Sequence, residues 1–263
     1  MNGFYVNSTV LGMPQLNYNG LDEIWLLKEL GNIHWEKLGE LTDMYTAEDR
    51  YYASFFNVNL KFKQEKYKEG KNFSIKSDIF KWNNKIYRST HKFGKGTATL
   101  DSIFVKKHKN GLIKHDSNST NYCDTIEDIN IEQHLFWKKY CKKYHDHKAH
   151  NEQVKMVLPL NPLLMFNGVK ILYFANYVFL AQMAEWRSDN KLRTPIREIQ
   201  ADMFGNIDVN DKVYASTWVT DKANTTYLFR VRYPFPPGDK LNLSGMKRPG
   251  DEQCIARIKI QRC

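Results

Sequence analysis

The clearest pattern in the chain is an alternation that begins at Tyr51. In YYASFFNVNLKFK, Phe56, Val58, Leu60 and Phe62 alternate with Asn57, Asn59, Lys61 and Lys63, which predicts a strand with one dry and one wet face. FSIKSDIF, KIYRSTHKF and TATLDSIFV continue this series. A second series runs through IREIQADMF, NIDVNDKVYASTWV, TTYLFRVRY and CIARIKIQR, broken by the turn-rich KANT and PFPPGDK. Ahead of each series the period is helical. Residues 22–38 place Ile24, Leu27 and Leu30 at helical spacing, with Lys28, Glu29, Asn32 and Glu36 on a wetter side. Residues 169–186, VKILYFANYVFLAQMAEW, are apolar almost all round, so that helix must be enclosed by protein. No strand–helix–strand alternation occurs, and a parallel sheet is not expected.

The two predicted helices open alike. Asn-Tyr-Asn-Gly-Leu (Asn17 to Leu21) and Met-Phe-Asn-Gly-Val (Met165 to Val169) stand about 150 residues apart. A long helix followed by antiparallel strands, used twice, predicts an α+β protein of the double hotdog type. Its two long central helices would each be wrapped by a curved antiparallel sheet. The first hotdog unit would cover residues 1–107 and the second 152–263. Between them, 108–151 would form a polar connector with a short helix in IEQHLFWKKYCKKY.

In such an arrangement the helix N-termini carry free N–H groups and the positive dipole end, which can hold an oxyanion. Asn19-Gly20 and Asn167-Gly168 are expected there: glycine would admit a thioester carbonyl and the asparagine amide would add a donor. A plainly capped helix explains either pair as well. Glu23, in the first turn with Asp22, fits the dipole and joins the substrate-binding candidates. At the strand start Arg50 to Phe56, parity puts Tyr52 and Ser54 on the dry face with Phe56, and Tyr51 on the other. His91 shares its face with Tyr87, Ser89 and Phe93. It should point inward, as a satisfied core histidine or as a proton acceptor for a phenol. Tyr52, Tyr51, His91 and Ser54 are therefore the catalytic candidates, with packing as the alternative for the tyrosines. The dehydratase pairing of histidine and carboxylate, the hydratase pattern Asp-x-Asn-x-x-His, a GxSxG elbow and HExxH are all missing.

Composition narrows the partners. With 263 residues, 42% apolar and 26% charged, the chain can bury a sizeable core. Its formal charge of +10 implies an anionic partner. Without a helix-turn-helix, zinc finger, RNA-binding strand or dense basic helix, nucleic acid is not expected. An acidic carrier protein or the phosphates of coenzyme A would suit the charge. Cys123, Cys141, Cys254 and Cys263 lack CxxC spacing and read as free thiols. Six of the eight histidines fall between His108 and His150, in a stretch with the composition of a solvated connector, so no metal site is expected. No leader pattern opens the chain, and Lys170, Asn176, Gln182 and Glu185 interrupt the most apolar stretch. A cytoplasmic protein with no membrane partner is expected.

The motifs themselves point further. Gly12 to Leu16 (GMPQL), Gly20 to Glu23 with Trp25 to Leu27, Gly31 to Trp35 (GNIHW), Tyr52 to Phe55 (YASF), and Phe166 to Gly168 with Leu172 to Ala175 resemble the leinamycin-pathway-type bifunctional acyltransferase/decarboxylase family of polyketide biosynthesis. The resemblance touches both halves and leaves 108–151 unmatched. It implies a double hotdog enzyme that takes methylmalonyl from coenzyme A, loads it on the phosphopantetheine of an acyl carrier protein, and decarboxylates it to propionyl (or malonyl to acetyl). No tightly bound cofactor is implied. It also implies acyl transfer through a strand tyrosine. The family's Tyr-x-Ala register selects Tyr51, whereas inward parity selects Tyr52. His91 falls where the family has a strand histidine. Asn19, Gly20, Asn167 and Gly168 would be the enolate donors. The rival readings are a hotdog thioesterase or acyltransferase without decarboxylation, and a non-catalytic scaffold that binds a carrier protein. A homodimer is left open.

Overall fold

A computed structural model describes residues 5–47, 50–63, 67–82, 86–108, 111–115, 156–189, 194–219, 223–231 and 252–262. In chain order the strands are β1 (Tyr5–Val10), β2 (Leu16–Asn17), β3 (Gly20–Leu21), β4 (Tyr51–Phe62), β5 (Asn72–Trp82), β6 (Ile86–Phe93), β7 (Gly96–His108), β8 (Gly111–Lys114), β9 (Met156–Leu158), β10 (Ile196–Met203), β11 (Lys212–Val219), β12 (Asn224–Val231) and β13 (Glu252–Arg262). The helices are α1 (Glu23–Leu41), the short α2 (Pro162–Met165) and α3 (Phe174–Asp189). β2 and β3 make a separate hairpin. All other strands join one antiparallel sheet in the order β1-β5-β6-β7-β4-β10-β13-β12-β11-β9, with β8 paired to β7. The order repeats. Outward from the β4/β10 joint, each half presents its second, fifth, fourth, third and first strand in turn.

Both long helices pack on one face of this sheet. Leu26, Leu27, Leu30 and Ile33 of α1 and Ala175, Val178, Leu180 and Ala181 of α3 share a continuous core with Val58, Leu60, Leu100, Ile199, Ala201 and Ile258. α1 begins where its cap dictates: the Asp22 carboxylate accepts from the Trp25 amide at 2.6 Å. α3 begins at Phe174 and not at Val169. Asn167 Oδ1 accepts from the amides of Val169 and Ile171, both at 3.1 Å, Lys170 is left-handed at φ 64°, and the Leu172 amide donates to Ile207 O at 3.0 Å. Those bonds hold 167–172 as a turn against the following loop and forbid helix. Among the described residues no helix is long and apolar enough to cross a membrane.

Where α1 approaches α3, Gly31 is required. A Cβ there would lie 2.5 Å from the Phe174 ring and 2.6 Å from the Tyr173 hydroxyl. The outer edge strands β1 and β9 answer no predicted strand. β1 is exposed at every second residue, Val6 and Val10 included, so its pattern resembles a loop. The connector from residue 116 to 151, its short helix, and Cys123, Cys141 and Cys263 lie outside the described residues. His115, expected in a solvated segment, is buried and stacks on Tyr51 with ring centroids 4.2 Å apart.

The halves meet along a short seam. β10 pairs with β4 over Glu198–Asp202 against Lys61–Asn57. On the face away from the helices, neighbouring strands carry Arg88, Asp101, Asn57, Asp202 and Arg257 in one transverse row. Arg88 clamps Asp101 through Nε (2.6 Å) and Nη2 (2.7 Å). Asn57 Nδ2 donates to Asp202 Oδ1 at 2.9 Å, and Arg257 Nε to Asp202 Oδ2 at 3.0 Å. Two buried carboxylates thus each have an arginine, and a neutral amide separates them.

Two consequences are measurable by denaturant unfolding. Asp202→Ala removes the carboxylate shared by the mostly buried Arg257 and by Asn57 and should destabilise the fold by about 3 kcal/mol. Gly31→Ala forces a methyl group into the α1–α3 contact and should cost about 1–3 kcal/mol, with the midpoint shifted at unchanged slope.

Candidate active site

β4 outruns its partner, and a cavity lies in the gap. Asp202 opposes Asn57, so the chain after β10 ends at Met203 passes opposite residues 56 to 53 without pairing. A cavity of about 50 Å³ opens there. Its wall includes Tyr52, Ser54 and Phe55 from β4, Met203 from the end of β10, Asn206 from the loop after it, Asn167 from the turn before α3, and Trp35 from α1. Tyr173, Phe174 and Tyr177 complete its helix side. Three of the sequence-predicted residues therefore line one cavity, although more than a hundred residues separate Asn167 from Tyr52 and Ser54.

They meet with the opposite parity to that expected. A β-bulge between Phe55 and Asn57 leaves Phe56 without an opposing residue on β7. The inward set of β4 is therefore Tyr51, Ala53 and Phe55, then Val58, Leu60 and Phe62. Tyr52, Ser54 and Phe56 are half-buried on the other side. Extrapolating parity backward from Val58 fails at that one inserted residue. Tyr51 lies in a second apolar cluster with Leu38, Leu41, Met44, Ile79, Tyr87 and Phe104, and its hydroxyl donates to Asp43 Oδ1.

His91 points inward as expected but does not reach the cavity. Its Nδ1 is 2.7 Å from Ser77 Oγ and its Nε2 2.8 Å from Ser89 Oγ. Ser89 continues to His34 Nδ1 at 2.7 Å, and His34 Nε2 to Ser102 Oγ at 2.8 Å. These five buried side chains form a polar layer between α1, which carries His34, and strands β5, β6 and β7. Ser89 has one proton and two imidazole neighbours, so it donates to one ring and accepts from the other. With both rings neutral, the bonds run in one direction along the whole row. Ser102 opposes Phe55 on the neighbouring strand, and the His34 and Phe55 rings lie 4.8 Å apart. Phe55 thus stands between the layer and the cavity.

The remaining candidates are elsewhere. Neither Asn-Gly pair sits at a helix N-terminus. Asn19-Gly20 belongs to the β2–β3 hairpin, where Gly20 adopts φ 128° and Asn17 Oδ1 accepts the Asn19 amide at 2.8 Å. Gly168 is exposed, with open space around the place of a Cβ, so it serves no close approach. Glu23 is buried, and burial raises its carboxyl pKa above the ordinary value. Asn17 Nδ2 donates to it at 3.0 Å, and the charge of Arg262 is near enough to act on it. Arg262 in turn reaches Glu185 Oε2 and Thr194 O, both at 2.7 Å. Arg262 opposes Ile196 at the start of β10, so this charged group sits at the far end of the seam from Tyr52. Trp35, Asn206, Tyr173 and Tyr177 escape sequence reasoning as site residues. Their meeting depends on the β4–β10 register, which no local pattern reports.

Compared with solved structures, almost the whole chain superposes on two thioesterases. An acyl-ACP thioesterase from Bacteroides thetaiotaomicron gives a TM-score of 0.62 at 11% identity, covering 98% of this chain and 97% of that one. A 12:0-ACP thioesterase from Umbellularia californica gives 0.65 at 7% identity, covering 98% and 96%. The chain shares the hotdog-like fold of these structures. At these identities the likeness is one of fold. No protein-family model and no curated protein matches the sequence.

Within this hotdog-like frame the polar layer makes stability depend on pH. Burial lowers the pKa of His91 to about 3, and burial together with neighbouring His91 holds His34 well below the ordinary value of 6.5. Both rings stay neutral in the fold, while the unfolded chain takes up protons below about pH 6.5. Their contribution is fully present above that pH and is lost as pH falls toward 3. Each histidine should steepen the loss by about 1.4 kcal/mol per pH unit in that window. Urea unfolding between pH 7 and 4.5 should show the decline, and replacing both histidines by asparagine should flatten it.

Proposed function

We propose that the protein is an enzyme of acyl-thioester chemistry: a thioesterase or acyltransferase that takes an acyl group from coenzyme A or from the phosphopantetheine arm of an acyl carrier protein. The observation that carries this reading is the meeting of Tyr52 and Ser54 from one half with Asn167 and Asn206 from the other around one cavity. The fold it shares with acyl-ACP thioesterases supports it. In the same reading the two like halves are two hotdog units, 1–107 and 152–263, joined through 108–151. The net charge of +10 suits an acidic carrier.

Asn167 uses its carbonyl oxygen to hold the turn, which fixes the side chain and leaves its NH2 group for a ligand. That group, the Ser54 hydroxyl and the Tyr52 hydroxyl would donate to the thioester oxygen and stabilise the oxyanion formed on attack. Water or a second thiol adds to the carbonyl carbon, the C–S bond breaks, and the attacking group's proton ends on the departing sulfur. The cavity would take the reacting head of the thioester. The tail would lie in a groove of about 760 Å³ lined by Ile24, Leu160, Met165, Phe179 and Met183, with Lys28 at its rim. The Tyr173 hydroxyl, of a residue that lines the cavity, lies 3.5 Å from the carbonyl oxygen of Lys28, which lines the groove.

A specific observation favours decarboxylation as a second reading. Among the described residues the cavity wall holds no carboxylate, imidazole or thiol. Loss of CO2 from a malonyl or methylmalonyl thioester needs donors for the enolate oxygen and no base, and it would leave acetyl or propionyl on the carrier.

The test is to incubate the protein with octanoyl, malonyl and methylmalonyl thioesters of coenzyme A and of a carrier, and to resolve the products by mass. Free acid with free thiol, or acyl-carrier, is the expected outcome; propionyl-carrier from methylmalonyl would select the second reading. No turnover of any thioester would leave only a carrier-binding scaffold. Tyr52→Phe should lower kcat by about 10²-fold if its hydroxyl is an oxyanion donor. Tyr51→Phe should chiefly lower stability, by about 1–2 kcal/mol, through loss of its bond to Asp43.

A further inference from the structure

We propose that the indole N–H of Trp35 is a carbonyl-binding donor of the cavity, engaging the thioester oxygen of the bound acyl group. This inference rests on the acyl-thioester reading of the same site. Trp35 lines the cavity, and its Nε1 is buried with no hydrogen-bond acceptor among the described residues. An indole nitrogen can only donate, and buried N–H groups in folded proteins are nearly always paired. A dry donor without a protein acceptor, on a residue that lines the cavity, is matched to an acceptor that a ligand brings when it displaces the packing over the nitrogen.

Its neighbours on that wall are engaged differently. The Tyr177 hydroxyl donates to Gly205 O at 2.9 Å, and Asn167 Oδ1 accepts two backbone amides. Trp35 is also held in place. Gly31, one helical turn earlier on the same face, abuts Phe174 and Tyr173. His34, the adjacent residue, is tied to Ser89 and Ser102, and the Trp35 carbonyl accepts from the Tyr45 hydroxyl at 3.3 Å. The polar layer under α1 thereby acquires a role at the cavity it does not touch: it fixes the turn that aims the indole.

The test uses the full chain labelled with 15N in its six tryptophans and two unreactive acyl-coenzyme A analogues. One replaces the thioester sulfur by CH2 and keeps the carbonyl as a ketone; the other is a thioether that lacks the carbonyl. The Trp35 indole resonance is assigned by its loss in Trp35→Phe or by sequential assignment of the wild-type protein, so the measurement survives a variant that fails to fold. The ketone should move that proton downfield and the thioether should leave it in place. In turnover, Trp35→Phe should lower kcat by about 10²-fold with KM nearly unchanged. Calorimetric binding of the ketone with an unmoved Trp35 resonance, or an equal shift with both analogues, overturns the inference and leaves the acyl-thioester reading standing. Binding of neither analogue removes that reading and the inference with it.

Discussion

The backbone pairing of β4 with β10 is the constraint on which the rest of the molecule depends. It spans five residues on each strand, and it is where two halves of the same strand order become one sheet. β4 is longer than the pairing it receives. An unpaired strand edge exposes backbone donors and acceptors, so the overhang has to be covered. Here the cover is the turn before α3 and the loop after β10, and incomplete filling leaves the cavity. The site is thus a by-product of strand lengths that do not match across the joint.

The joint has two ends, and they differ in chemistry although the halves share a topology. At one end Tyr52, Ser54, Asn167, Asn206 and Trp35 surround the cavity with neutral hydrogen-bonding groups. At the other, Glu23, Glu185 and Arg262 form a charged group whose buried carboxylates depend on a nearby cation. In the proposed reading a neutral set of donors would suit an oxygen that gains charge during reaction, whereas paired charges already spend their fields on each other. The row of Arg88, Asp101, Asn57, Asp202 and Arg257 then locks the register from the opposite face. Of that row only the Asn57–Asp202 bond crosses the joint, so a slip of one residue there would break it and leave each carboxylate with its own arginine.

The first half carries an additional device, the layer Ser77–His91–Ser89–His34–Ser102. It divides an otherwise apolar core, and each of its groups would be costly if left unpaired. Full pairing is achieved only when α1 sits at one height above β5, β6 and β7. The layer therefore converts a hydrophobic contact, which tolerates sliding, into a directional one. The pairing also ties α1 to the sheet beside the residue that reaches the cavity.

The alternating and helical periods of the sequence were enough to determine two long helices, eight of the strands and an antiparallel sheet. Periodicity records which residues face the core, and most of this chain follows that rule. It also placed Tyr52, Ser54 and Asn167 among the site candidates. The sequence did not report the bulge at Phe56, because one extra residue leaves composition and alternation almost unchanged while reversing every side chain before it. It overestimated α3, because the apolar stretch 169–173 is held in a turn by bonds to Asn167 and Ile207 that only the folded chain brings within reach. It grouped His91 with the tyrosines, whereas the structure gives His91 to Ser77 and Ser89 and sets Phe55 between them and the cavity. Local pattern determined the elements, since each residue's preference for water or core is its own; the register at β4 and β10 decided the site, since a meeting of residues over a hundred positions apart is a property of the fold.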